Sequence, residues 1–264
     1  MRRSILLAAG VLLLPVASRA NDSALAYGGS PKMLKGHPTV SMKSEHVRIE
    51  VGEENSVVDC KFVFVNNGST CKVRMGFPDS GSGESDPDAE GQVNPPKGTF
   101  KSFQSWVAGK PVKTRVIRAD TQGDFWHVKT VTFPANRTLV VRDRYVVEVG
   151  GSVGFDVPMS VQWTSYVLHT GSSWHGPIGR SVVDVTFKRK GVRTPIRAKR
   201  IRDTGPRPNY AENLKSDKRA VYYKGPGRPS VTGKTLRFVR TNWRPAKKDD
   251  IHLVFDMRRL VATR

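Results

Sequence analysis

The sequence predicts an all-β protein, an antiparallel β-sandwich, on the basis of two observations. Apolar side chains recur at every second position in about a dozen short stretches, and no stretch keeps the three- and four-residue spacing of an amphipathic helix. Gly, Pro and Asn separate these stretches, as turns separate the strands of sandwich domains. We therefore expect two packed sandwich-like units, although the same pattern is compatible with one.

Several strands can be placed along the chain. The clearest alternation runs through Val47, Ile49 and Val51, which interleave with the charged residues Arg48 and Glu50. The remaining strand candidates are 57–65, 70–77, 100–107, 112–117, 125–133, 138–149, 161–168, 181–187, 196–202, 219–223, 235–240 and 251–255.

The composition excludes several classes of protein. The chain has 264 residues, 38% of them apolar, and two cysteines. A disulfide-rich miniprotein needs more cysteine, a collagen needs regularly spaced glycine, and a disordered chain has fewer large apolar residues. The chain therefore contains enough apolar material for a globular core.

The first 20 residues have the pattern of an export signal. Arg2 and Arg3 precede an apolar run at 5–16, and small side chains follow it. This run is shorter than the roughly 20 residues needed to cross a bilayer, and no later segment is longer. We expect a signal peptide at 1–20, a mature chain that begins at Asn21, no transmembrane segment, and a periplasmic or extracellular location.

The two cysteines lie on strand candidates that flank an Asn-Gly turn, which favours a tight hairpin. In that hairpin Cys60 faces Met75, and Phe64 faces Cys71. The two cysteines are then about 13 Å apart, whereas bridged Cα atoms lie within roughly 7 Å. This register favours two buried thiols, while a slipped or bulged register would allow a disulfide.

Residues 78–98 interrupt the strand pattern with five acids and one base, and they predict a flexible acidic loop. Asp86, Asp88 and Glu90 resemble the start of a calcium-binding loop. Lys97, however, stands where such a loop needs its closing bidentate acid. The pattern therefore favours a solvated loop over a calcium site.

No spacing typical of a catalytic or metal site is present. The six histidines are scattered, without an HExxH motif, a metal-spaced cysteine pair or a nucleophile elbow. His169 and His175 flank one loop and could converge, but a turn tied by His and Trp hydrogen bonds is the favoured interpretation. We therefore expect no enzymatic activity, no metal and no cofactor.

Three stretches carry a recognisable pattern: ANDSALAYGG with SMKSEHVRIEV and VRMGFP after it, SYVLHTGSSWHGPIG, and NWRPAKKDDIHLVF. In the second stretch the matching positions are Tyr166, Leu168, Thr170, Gly171, Trp174, Gly176 and Ile178. Together they resemble the bacterial exported family called domain of unknown function 4424. The resemblance implies an exported β-rich protein of unknown activity, with no catalytic residues to carry over.

Trp174 in this motif follows a glycine in a turn that ends at Pro177. A large ring at this position can cap the open end of a sandwich, which is the favoured interpretation. Stacking against a sugar is the alternative.

The charge is concentrated in the last 77 residues, which hold 23 basic and 6 acidic residues. The densest cluster is Lys188, Arg189, Lys190, Arg193, Arg197, Lys199, Arg200 and Arg202. One interpretation is a site for an anionic envelope polymer or membrane surface. The other is solubility and protection of an edge strand. Nucleic acid is a disfavoured partner, because the chain is expected to be exported and no aromatic platform interleaves with these cations.

The predicted organisation is an N-terminal unit at 21–120, which includes the acidic loop 78–98, and a C-terminal unit at 121–264 with the basic surface. The predicted function is that of an exported, non-enzymatic, envelope-associated binding or structural protein that contacts anionic surfaces or polymers. One alternative is a carbohydrate-binding or carbohydrate-active sandwich domain, with Asp156 and Asp184 as the nearest carboxylates to Trp174. The other is a chaperone-like two-sandwich protein, which needs a free strand edge.

Overall fold

The fold is known from a computed structural model of the chain. The structure describes residues 27–29, 31–35, 38–80, 98–118, 124–151, 161–201, 214 and 216–261. The predicted signal peptide, its cleavage site, Asp156 and Arg202 lie outside the described residues.

Strands make up most of the described chain, so the predicted all-β class is confirmed. In chain order they are β1 (Tyr27–Gly29), β2 (Lys32–Lys35), β3 (Val40–Val51), β4 (Asn55–Asn66), β5 (Cys71–Ser80), β6 (Ser102–Val107), β7 (Lys110–Val112), β8 (Arg115–Arg118), β9 (Asp124–Phe133), β10 (Thr138–Glu148), β11 (Gly150–Gly151), β12 (Val161–Val167), β13 (Ile178–Phe187), β14 (Arg197–Arg200), β15 (Ala220–Lys224), β16 (Ser230–Thr232), β17 (Thr235–Trp243) and β18 (Ile251–Asp256). Two 3-10 helices, His169–Ser173 and Lys247–Asp249, and one α-helix, α1 (Met257–Leu260), complete the described elements.

The strands form two sheets. A ten-stranded sheet has the order β14-β15-β18-β12-β1-β5-β9-β8, with β11 beside β12 and β2 beside β5. An eight-stranded sheet has the order β16-β17-β13-β3-β4-β10-β6-β7. Most neighbours are antiparallel, as predicted, but β1 runs parallel to β12, β3 to β13, and β14 to β15.

The two sheets pack face to face around a shared apolar core. Phe77 of β5 contacts Tyr145 of β10, with ring centroids 5.3 Å apart, and Phe187 of β13 meets Phe255 of β18 at 5.0 Å. The alternation along β3 matches the prediction, since Val47, Ile49 and Val51 are buried whereas their charged neighbours are exposed. Burial of this apolar surface is the main stabilising contribution to such a fold.

Each sheet combines strands from both sides of the predicted unit boundary at residue 120. Strand β10 pairs with β4 and β6, β13 pairs with β3, and β5 pairs with β9. The described strands therefore do not separate into a 21–120 sandwich and a 121–264 sandwich. Alternation identifies each strand but carries no information on which distant strand lies beside it.

The predicted hairpin between β4 and β5 is wrong, because these strands belong to different sheets. The connection crosses from one sheet to the other and is held by the buried Asn66. Its Nδ2 donates to the carbonyl of Ser69 at 2.8 Å and to that of Phe133 at 3.2 Å, while its Oδ1 accepts from the Gly68 amide at 3.1 Å. These side-chain bonds replace the backbone ladder that a hairpin would have formed.

Both cysteines are free thiols, as favoured from the sequence, although for a different reason than the predicted register. Cys60 is fully buried beside the hydroxyl of Tyr166, 3.7 Å away, and burial raises the pKa of its thiol well above the ordinary value. Cys71 is only partly buried.

The first residues of the acidic segment predicted as a loop at 78–98 lie in a strand. Pro78, Asp79 and Ser80 belong to β5, and residues 81–97 lie outside the described residues. Asp79 is fully buried, where its carboxylate accepts hydrogen bonds from Thr99 and contacts His127 Nε2 at 2.9 Å. This carboxylate therefore has a structural role, because it joins Thr99 to β5 and to His127 of β9.

A buried ion pair crosses the core between the sheets. Lys129 of β9 contacts the Asp143 carboxylate of β10 at 2.5 Å and donates to Ser105 at 2.7 Å. Both charged side chains are at most 3% exposed, and the second carboxylate oxygen of Asp143 has no hydrogen-bond partner among the described residues. Among the described residues, Lys129 is thus the counter-ion that stabilises the buried Asp143 carboxylate.

We expect Lys129→Met to lower the free energy of unfolding by about 3–5 kcal/mol, because it leaves a buried carboxylate without a counter-ion. The double variant Lys129→Met/Asp143→Leu removes both charges and should recover most of that loss. Urea unfolding of the two variants and the wild type measures the difference. Equal destabilisation by the single and the double variant would contradict the expectation.

Candidate functional site

Trp174 closes one end of the sandwich. Its ring is 2% exposed and lies 4.3 Å from the ring of Phe64, and its Nε1 donates to the carbonyl of Pro31 at 2.8 Å. The predicted core-capping role is confirmed. A side chain buried in this way has no free face for a sugar.

The rest of the loop motif supports this closure. Thr170 and Gly171 are buried in the first 3-10 helix, and Tyr166 is buried in the core beside Cys60. Asp250 accepts from the amide of His169 at 3.0 Å and contacts its ring Nδ1 at 2.7 Å. The interpretation of this segment as a turn tied by His and Trp hydrogen bonds is confirmed. Gly176 adopts φ +69°, a conformation that favours glycine.

The predicted basic cluster divides into two places in the structure. Lys188 and Arg189 follow β13, which runs parallel to β3 and so ends beside the turn after β3. There Lys188 contacts Glu50 at 2.9 Å and Arg189 contacts Glu53 at 3.0 Å, while Lys190 is exposed. Glu50 of β3 and Glu53 of the turn therefore pair with two of the three cations.

The second place is β14, at the edge of the ten-stranded sheet. Arg197 and Lys199 share one face of this strand, as predicted, and both contact Asp217, at 3.1 and 3.2 Å. Ile196 and Ala198 lie on the other face and pack in the core. Arg200 is exposed at the end of the strand.

Asp217 links the two cations to the start of β15. Its Oδ1 also accepts from the backbone amide of Arg219 at 3.1 Å. Partial burial opposes ionisation of the carboxyl, but this amide and the neighbouring Lys199 and Arg197 outweigh it, so the pKa of Asp217 lies below its ordinary value. Asp217 is therefore charged at neutral pH, and one carboxylate serves two cations.

A cavity of about 310 Å³ opens beside β14. Three arginines and three less polar residues line it: Arg193, Arg197 and Arg219, with Pro195, Ile196 and Leu260. Arg219 is not among the site residues predicted from the sequence. It reaches the cavity because β15 pairs in parallel with β14, which places Ala220 beside Arg197, and no local pattern reports such a pairing.

The carboxylate predicted for the carbohydrate alternative lies in another environment. Asp184 is bound by Arg237 at 2.6 and 2.9 Å and by His46 at 3.0 Å. Burial raises the pKa of Asp184, but the bonds from Arg237 and His46 outweigh this effect and hold it below its ordinary value. An ionised, salt-bridged carboxylate is a poor general acid.

One serine–histidine contact was not predicted. Ser165 Oγ lies 2.6 Å from His252 Nδ1 on neighbouring strands. Burial, and then the nearby Lys224, lower the pKa of His252 to about 4. Such a weak base accepts a proton from serine poorly at neutral pH, so the contact does not make Ser165 an activated nucleophile.

Two further features bear on the kind of site. Within the described ranges, no group of three or more His, Cys, Asp or Glu side chains is arranged to hold a metal ion. No helix in that part of the chain has the length and apolar character needed to cross a membrane.

No protein-family model and no curated protein matches the chain. Among solved structures, it is similar to a proposed nutrient binding protein from Legionella pneumophila, with a TM-score of 0.61 and 21% identity over 89% of this chain and 72% of that one. An M1 zinc metallopeptidase from Deinococcus radiodurans also matches, with a TM-score of 0.37 and 11% identity, over 83% of this chain and 43% of that one. The similarity to the Legionella structure shows a shared fold. The similarity to the metallopeptidase is too low to support any conclusion about this chain.

The pKa of His252 predicts a pH dependence of stability. The unfolded histidine titrates near 6.5 and the folded one near 4, so the unfolded chain binds more protons between these values. The contribution of neutral His252 to the free energy of unfolding is therefore fully present above pH 6.5, and it is lost as the pH falls toward 4. We expect His252→Gln to reduce this acid-induced loss by up to about 3 kcal/mol, measured by urea unfolding at neutral and acidic pH. The same acid-induced loss in the variant and the wild type would contradict the expectation.

Proposed function

We propose that the protein is an exported, non-enzymatic, envelope-associated binding protein that contacts anionic surfaces or polymers through basic residues of its C-terminal third. The observation that carries this proposal is the excess of cations at β14. Arg197, Lys199 and Arg200 occupy three of the four positions of an edge strand, and Asp217 is the only carboxylate within salt-bridge distance of them among the described residues.

Ion pairs within the chain favour some of the predicted basic residues over others for this role. Lys188 and Arg189 already contact Glu50 and Glu53, so an external anion would have to compete with acids of the same chain. Among the described residues of β14, by contrast, three cations have one acidic partner, Asp217. The proposal therefore assigns contact with the anionic partner to Arg193, Arg197, Lys199, Arg200 and Arg202.

The expected affinity is modest. Each basic residue near an anionic surface contributes roughly 1 kcal/mol, so four of them give about 4 kcal/mol, which corresponds to a dissociation constant of about 1 mM. Asp217 reduces this sum, and salt screens it further. Such binding suits attachment to an extended surface with many anionic groups.

Export and family are parts of the same proposal. The pattern at 1–20 supports export, and the three matching stretches support membership of domain of unknown function 4424. The Legionella protein that shares the fold is itself a proposed nutrient binding protein, and a binding role for this chain accords with that proposal.

Neither predicted alternative gains support. The carbohydrate alternative relied on Trp174 as a stacking side chain, and that ring is buried. The chaperone alternative requires a strand edge that accepts a client strand. Strand β14 is an edge strand, but its three basic side chains oppose the addition of another strand.

The proposal predicts that binding to anionic vesicles depends on the position of the cations and not on net charge alone. The probe is vesicles of phosphatidylcholine with and without phosphatidylglycerol. The test variant replaces the four basic residues at and after β14 with Gln: Arg197, Lys199, Arg200 and Arg202. We expect its partition onto the anionic vesicles at low ionic strength to fall by a factor of about 100 or more.

The matched control removes four charges from exposed lysines outside the basic third: Lys61, Lys72, Lys110 and Lys113. Its partition should stay within about threefold of the wild type. Equal losses in both variants, measured by vesicle co-sedimentation, would contradict the assignment to the basic third.

A further inference from the structure

We infer that the cavity beside β14 is a discrete site for an oxyanion group, a phosphate or a carboxylate, carried by a small ligand or by the end of a polymer. The inference rests on the proposed function and deepens it, since it adds a shaped site to a charged surface. It concerns Arg193, Arg197 and Arg219, which line one cavity of about 310 Å³.

The arginines come from segments whose backbones are fixed. The Arg193 amide donates to the Leu260 carbonyl at 2.9 Å, and the Ile196 amide donates to the Gly233 carbonyl at 3.0 Å. Arg197 is held by Asp217, and the same carboxylate accepts from the Arg219 amide. A site whose parts are already in place needs little ordering when a ligand binds.

Arg193 is a partly buried residue in the wall of the cavity. Its Nε is inaccessible to solvent and has no hydrogen-bond partner among the described residues. An atom without accessible surface does not contact a molecule in the cavity, so contact with a ligand falls to the other donors of this guanidinium group. An oxyanion in the cavity would supply a counter-charge for that group.

The charge balance of the cavity points to the same ligand. Three arginines line it, and the carboxylate that binds Arg197, Asp217, is shared with Lys199. Among the described residues, the cavity therefore has a surplus of positive charge. An anion would reduce the repulsion between the arginines, whereas a cation or a neutral sugar would not.

The chemistry of the lining defines the ligand class. Guanidinium presents a planar fork of donors that matches phosphate and carboxylate oxygens in pairs. Ile196 and Leu260 are buried core residues, so they provide a rigid apolar wall beside the arginines. The volume of about 310 Å³ lies at the lower end of the range for small-molecule pockets. A small anion with a short carbon skeleton therefore fits better than a bulky one.

Isothermal titration calorimetry of the full chain with inorganic phosphate and, separately, with citrate tests the inference. The cavity variants are Arg193→Gln and Arg219→Gln. The control is Arg144→Gln, which removes an exposed arginine of β10 that does not line the cavity. We expect one binding site per chain, at least about tenfold weaker binding in each cavity variant, and a change within about twofold in the control.

Arg193→Lys provides a second test in case a Gln variant does not fold. It keeps the charge but loses the planar fork, so binding of the preferred anion should still weaken. Full affinity in Arg193→Lys would overturn the inference. Tighter binding of phosphate than of citrate identifies phosphate as the ligand group, and the reverse order identifies carboxylate.

The outcomes separate this inference from the proposed function. No saturable binding of either anion, or equal small losses in cavity and control variants, overturns the cavity site while leaving vesicle binding untouched. One-site binding that is lost only in the cavity variants supports the site, even if vesicle binding proves insensitive to the basic third. That last result would overturn the proposed function alone.

Discussion

Burial of Ile196 and Leu260 in the core is the constraint on which the candidate site depends. Strand alternation places Arg197 on the face opposite Ile196, and the backbone bond from Arg193 to Leu260 holds the preceding arginine beside it. The same core thus fixes the edge of the sandwich and the position of its cations. Loss of packing at this end would disperse the arginines together with the fold.

Electrostatic pairing within the chain decides which cations are available to a ligand. The basic third contains many charges, but Lys188 and Arg189 are matched by Glu50 and Glu53. Around β14 the balance differs, because Asp217 alone is shared between two cations. A local excess of cations over carboxylates, rather than the net charge of the chain, therefore indicates which part of the surface suits an anion.

The sequence predicts individual strands well and their arrangement poorly. Alternation located β3 and most later strands because burial on one face imposes a period of two. The Asn-Gly pair suggested a hairpin, but the buried Asn66 instead holds a crossover between sheets. Arg219 was missed for a related reason, since only the distant pairing of β14 with β15 brings it to the cavity. Pairing between strands that are distant in the sequence produces no pattern in the residues of either strand.

Nuclear magnetic resonance of the arginine Nε–Hε groups during a phosphate titration tests the central claim most directly. The account predicts saturable shifts for Arg193 and Arg219 at a common dissociation constant, with exposed arginines such as Arg144 nearly unchanged. Both should shift more than any arginine that does not line the cavity, because the bound anion lies beside them. Weak, unsaturated shifts of similar size at all arginines would contradict the account.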